Sequence, residues 1–160
     1  MYSVDGYFNG EKLQCIVGAI VSVTFIAMPI FFLFQDKALL KGIAYVAIPL
    51  SALLLIICMG VLLRISKDIE RVTTFKEVTP EQIQSEEIPR MEKVMKSFSI
   101  IKKVEMVIFL IGLGLIIIFW RNEMLRGVAV GLLLMGVSLY LFDHLAESRG
   151  ETYIQFLKSL

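Results

Sequence analysis

The chain has 160 residues, enough for one domain, and its 16 basic and 15 acidic side chains nearly cancel, so no basic excess marks it for nucleic acid. Its 57% hydrophobic content and mean hydropathy of +0.76 exceed what a soluble core of this size can hide. The surplus has to face lipid, which excludes a soluble globular protein and makes the bilayer the first partner.

A helix crossing about 30 Å of hydrocarbon uses roughly 20 apolar residues, and four stretches qualify, near 13–35, 39–64, 104–120 and 125–143. Ahead of the first, Tyr2, Asp5, Tyr7 and Glu11 replace the basic region of a signal peptide. The apolar run that follows is also too long for one, so it is expected to stay in the membrane. Pro29 and Pro49 fall inside the first and second spans and predict kinks there. The third span is the shortest. It gains length backwards through Ile100 and Ile101, past Lys102 and Lys103, whose long side chains can reach the interface.

The segment Phe-Gln-Asp-Lys-Ala-Leu-Leu-Lys-Gly-Ile-Ala at 34–44 reappears 85 positions later as Phe-Trp-Arg-Asn-Glu-Met-Leu-Arg-Gly-Val-Ala at 119–129. Phe34 matches Phe119, Leu39 matches Met124, Lys41 matches Arg126 and Gly42 matches Gly127. Each copy joins two apolar stretches, so the chain reads as two helical hairpins in tandem. The expected fold is all-α: one polytopic domain over 1–160, a bundle of four transmembrane helices, with amphipathic helices on the cytoplasmic side.

With four spans, the N-terminus, the 65–103 connection and the C-terminus share one side. That side holds twelve of the basic residues against four on the other (Lys37, Lys41, Arg121, Arg126). The excess of positive charge predicts that side to be cytoplasmic, in a bacterial inner membrane. In the 65–103 connection, Thr79, Pro80, Glu81 and Gln82 have the form of a helix start. Pro89 predicts an extended or turned Ile88 and a second helix from Arg90. There Met91, Val94, Met95, Phe98 and Ile101 recur at helical spacing on one face. After Gly150, Tyr153, Phe156, Leu157 and Leu160 form a similar stripe in a C-terminal helix over 144–160. These stripes either dock a partner or cover each other.

The charged residues nearest the spans, Arg64, Lys102, Lys103, Glu105, Asp143 and His144, are expected at one level and form a candidate ion-pair cluster. His144 is the single histidine, and one histidine among carboxylates makes a poor metal set, so no metal is assigned. Cys15 and Cys58 stand far apart in sequence without a Cys-x-x-Cys motif and read as packed or lipid-facing thiols. Gly18 with Ser22, Ala47 with Ser51, Gly127 with Gly131, and Gly112 and Gly136 have the small-residue character that lets membrane helices approach closely.

No catalytic residue and no cofactor follows from these patterns. Four-span layouts with cytoplasmic termini resemble those of some immunity proteins against pore-forming toxins. The expectation is therefore a non-catalytic inner-membrane protein of accessory or toxin-immunity type, acting through contacts with a membrane-protein partner or with copies of itself. The alternative is a small oligomeric transporter or channel with Glu105 and Asp143 at a cytoplasmic entrance.

Overall fold

The computed structural model describes residues 4–75 and 83–159 and consists of helices throughout that range. Helix α1 runs Val4–Leu33, α2 Ala38–Phe75, α3 Ile88–Ile118 and α4 Glu123–Lys158; a five-residue π-helical turn, Ile83–Glu87, leads into α3. The helix start expected at Thr79–Gln82 lies outside the described residues.

Two tight turns, 34–37 and 119–122, separate the helices of each hairpin. In the second, the Asn122 side-chain oxygen accepts from the Leu125 N–H at 3.1 Å, which satisfies one of the free donors at the start of α4. At the other end of the molecule the chain differs from expectation. Ile88 is helical and Pro89 lies in the first turn of α3, where no N–H partner is needed, so the helix starts two residues before Arg90. Gly150 likewise does not begin a separate helix, because α4 passes through it unbroken.

The four helices stand in the order α1, α2, α4, α3. Helix α2 packs on α1 and α4, α4 packs on α2 and α3, and α1 and α3 form the edges. The centre of this row is the crossing of α2 with α4 near the two turns. A methyl group added at Gly42 would sit 2.2 Å from the Met124 carbonyl oxygen, and one at Gly127 would sit 2.0 Å from that of Leu39. Only a residue with no side chain lets two backbones meet that closely. The two contacts are reciprocal: each turn-proximal glycine rests on the backbone three residues before the other.

Three helical segments are long and apolar enough to cross a membrane: Gly6–Leu33, Ala38–Glu70 and Glu123–Lys158. Helix α3 carries Lys102, Lys103 and Glu105 near its middle, which leaves Met106–Ile118 as its uncharged stretch. Leucine, isoleucine and phenylalanine side chains such as Leu13, Ile20, Leu63 and Ile117 cover the outside of the row and are more than 60% exposed, as lipid-facing residues are.

At the ends away from the two turns the helices form a cap with its own core, where Tyr7, Phe8, Ile65, Met91, Tyr153 and Leu157 are buried together. Tyr7 stacks on Tyr153 with ring centres 4.2 Å apart, and Phe8 meets both rings edge-on. The edge helices come together here, the Tyr7 hydroxyl donating to Met91 Sδ at 4.0 Å. Each aromatic ring buried in this way contributes a few kcal/mol of stability.

Candidate functional site: a carboxyl pair on an apolar groove

Glu105 on α3 and Asp143 on α4 face each other within side-chain hydrogen-bonding range. Glu105 is only 4% exposed, and its Oε2 has no hydrogen-bond partner. Two ionised carboxylates at that range repel, and a positive charge placed beside them relieves the repulsion. Both residues border a groove of about 470 Å³ between α2 and α3, floored by α4. Leu50, Leu53, Leu54 and Ile57 form one wall, and Val94, Phe98, Ile101, Val104 and Ile108 form the other. Apart from the two carboxyls and Ser97, its lining is aliphatic or aromatic.

The groove exists because α3 packs on α4 and not on α2. On the opposite side, where α1 passes α4 at a similar level, the space is closed. A methyl at Gly18 would lie 2.6 Å from the Phe142 ring, and the Gln14 amide donates to the Phe142 carbonyl oxygen at 2.5 Å. A smaller cavity of about 320 Å³ remains nearer the turns, beside Pro29 and Ser138.

The other members of the predicted charge cluster divide into two groups. Lys102 Nζ donates to Glu147 Oε2 and sits 5.7 Å from the centre of the Tyr140 ring, which in turn stacks on His144 at 6.2 Å. That hydrogen bond holds the lysine above its ordinary pKa. His144 Nδ1 lies 3.9 Å from the same Glu147 oxygen. Arg64 joins none of these; it pairs with Asp68 one turn along its own helix at 2.8 Å, and Lys103 is exposed. Among the described residues, no three metal-ligating side chains converge.

The two amphipathic stripes face each other across the cap. Met91 and Tyr153 are fully buried and Leu157 nearly so, while Met95 Sδ would stand 2.8 Å from a methyl placed on Gly150. Val94, Phe98 and Phe156 are half-buried, and Ile101 is 41% exposed. Beneath Tyr153 lies a charge pair that the stripes did not disclose. Buried Glu87 accepts from Arg90 Nε at 2.9 Å and Nη2 at 2.6 Å, and the Tyr153 hydroxyl donates to it at 3.4 Å. Burial works against the charged Arg90, but the hydrogen bonds and charge of Glu87 outweigh it and leave its pKa raised. Burial, reinforced by the Glu87 charge, also pushes up the Tyr153 phenol. Near the start of α1, burial raises the Glu11 carboxyl against the opposing pull of Arg64.

The small residues lie inside the chain's own interfaces. Gly112 faces Leu133 and Ala129, Gly131 faces Val46 and Ile43, and Gly136 faces Phe109. Ser22, Ala47 and Ser51 are buried, with the Ser51 hydroxyl 3.9 Å from Met135 Sδ. Sequence spacing did not disclose that Cys15 of α1 and Cys58 of α2 meet thiol to thiol. Their pairing depends on helix rotation, for which neither cysteine carries a local signal.

Comparison with protein-family models, with curated proteins and with solved structures finds no match, so a functional reading rests on the chain's own residues.

Proposed function

We propose that the protein is a non-catalytic, four-span component of a bacterial inner membrane, with both termini cytoplasmic, that acts by contact with another membrane protein, as an accessory or toxin-immunity factor does. The observation that supports this reading is the open row of helices. Edge helices α1 and α3 pack chiefly on α2 and on α4 respectively, and Gly60 and Gly114 have nothing within 4 Å of where a side chain would stand. Bare glycine on a lipid-facing helix gives a partner helix a place to approach the backbone. In this reading α3 supplies the remaining span, the third in chain order, over 104–120, with Lys102 and Lys103 extended to the interface. The cytoplasmic assignment rests on the twelve-to-four distribution of basic residues.

The matching segments 34–44 and 119–129, together with the reciprocal contacts of Gly42 and Gly127, support an origin by duplication of one hairpin. An offset of 85 carries α1 onto α3 and α2 onto α4 to within two residues at each end.

The test is purification from the native membrane in mild detergent with mass determination of the intact complex. A stoichiometric second protein, lost when Gly60 or Gly114 is replaced by leucine, is the expected result. A monomer that captures no partner under crosslinking refutes the reading. The second reading, an oligomeric transporter or channel, is favoured by one observation, the buried and incompletely bonded Glu105. It requires a homo-oligomer and a flux in vesicles that disappears in Asp143→Asn.

A further inference from the structure

The groove between α2 and α3 goes beyond the partner reading, because what it is built to hold is not a helix. Its volume of about 470 Å³ equals a few side chains and falls in the range of small-molecule sites. Its charged feature is the Glu105–Asp143 pair, with Ser97 the other polar residue of the lining, and Glu105 Oε2 is buried there without a hydrogen-bond partner. A buried acceptor left unsatisfied costs free energy that a donor or a cation restores.

The chain's own cations do not fill that role. Lys102, whose charge reaches Glu105, has its ammonium hydrogen-bonded to Glu147, and Arg64 is turned to Asp68. The equivalent space between α1 and α4 is shut by Phe142 and Gln14. Opening and both carboxyls therefore occur together in this groove; a smaller cavity of about 190 Å³ on the other face of α3 and α4 touches Glu105 but not Asp143.

We propose that this groove binds a small lipophilic cation, with its apolar body between the aliphatic walls of α2 and α3 and its positive centre on the Glu105 and Asp143 carboxyls. Compact hydrated ions are poor occupants, because stripping their water in an apolar cleft is costly. A cation with charge buried under hydrocarbon or aryl groups loses little hydration on entry. Such ions already concentrate in the bilayer, and Leu53, Ile57, Ile101 and Val104 at the groove's edges are exposed on the lipid-facing surface.

The test is equilibrium binding of radiolabelled tetraphenylphosphonium to the full chain in phosphatidylcholine nanodiscs, with empty nanodiscs subtracted. Tetraphenylborate, of the same shape and opposite charge, is the control. Saturable, one-to-one binding of the cation and none of the anion is expected. Glu105→Gln, which keeps the side-chain shape, weakens binding by about tenfold or more, the scale of a lost charge-assisted contact. Leu54→Trp fills the groove and abolishes binding with both carboxyls intact. Circular dichroism and an unchanged unfolding midpoint establish that each variant is folded. Equal binding of the anion, no saturable binding of the cation, or full affinity in folded Glu105→Gln overturns the proposal.

Discussion

Gly127→Ala adds a single methyl group, but it adds it where the backbones of α2 and α4 touch. The new carbon would stand 2.0 Å from the Leu39 carbonyl oxygen, and ordinary contact begins at 3.4 Å, so the helices have to part by about 1.4 Å. The obstructing atoms are backbone and have no rotamer to adopt. A radial gap of about 0.5–1 Å already forfeits a quarter to a half of a dispersion contact, and the residues around the crossing all share the displacement. Overpacking costs about 1–3 kcal/mol, and the upper end applies when the neighbour cannot turn aside. Against this, alanine is better than glycine in a helix by about 1 kcal/mol. The net expectation is a loss of about 2 kcal/mol.

Gly60→Ala is the matched control. Nothing lies within 4 Å of its new methyl, so only the propensity gain remains and the protein is stabilised by about 0.5–1 kcal/mol. Unfolding in mixed micelles with increasing dodecyl sulfate, followed by fluorescence of Trp120, the single tryptophan beside the second turn, measures both. Adding Gly42→Ala to Gly127→Ala costs less than the sum of the two, since one separation relieves both clashes. If Gly127→Ala is as stable as Gly60→Ala, the close crossing of α2 and α4 is wrong.

Tyr153→Phe keeps the stack on Tyr7 but removes the hydroxyl that donates to Glu87, a loss of about 0.5–1.5 kcal/mol at neutral pH. The Tyr153 phenol is raised above the ordinary tyrosine value of about 10, so the folded state holds its proton where the unfolded chain releases it. Stability therefore falls as pH rises above about 10, and chemical unfolding of Tyr153→Phe across that range lacks this share of the decline. Glu11 is also raised, so its contribution to stability falls as pH climbs from the ordinary glutamate value of about 4.5; Glu11→Gln flattens a stability profile measured from there upward. Phe8→Ala empties a fully buried site in the cap and costs about 3 kcal/mol; a loss under 1 kcal/mol by dodecyl sulfate unfolding contradicts the core described for that end. Mild oxidation with copper phenanthroline joins Cys15 to Cys58, seen as an intact mass lighter by the two thiol hydrogens and absent in Cys15→Ser; thiols that stay fully reduced refute the α1–α2 register.

Helix positions were legible because apolar length and turn residues are local properties. The runs ending at Leu33 and beginning at Ala38 bracket a turn of Phe34, Gln35, Asp36 and Lys37 that no other reading accommodates. The amphipathic spacing of Met91 and Tyr153 states which face is apolar, and their shared cap core supplies what covers it. Helix rotation is a different matter. In a soluble helix a polar face announces the outside, but α1 is apolar all round, so nothing local states which side Cys15 or Gln14 presents. For the same reason Glu105 and Asp143 can be placed at one level by counting from the turns, whereas a carboxyl partner in place of Arg64 cannot. The Arg64 side chain lies along the outer surface of α2, one turn from Asp68. Pro89 marked the start of α3 to within two residues, but Ile88 is helical and not extended, because a proline's cost falls on a helix interior and not on a first turn.

Helix α2 has 38 residues and α4 has 36, lengths of about 57 and 54 Å at 1.5 Å per residue. Either is nearly twice the thickness of a hydrocarbon layer. Both continue without a break from the crossing at Gly42 and Gly127 to the aromatic cluster around Tyr153. Helix α4 holds no proline and α2 holds one, Pro49, so twist or tilt can be absorbed at few points along them. A change in how the helices lean against each other near the turns is therefore carried toward the far end, where Tyr7, Phe8 and Met91 clasp them. The aromatic cluster works as the pivot of a pair of long levers, and the stacking of two tyrosine rings registers what happens tens of ångströms away.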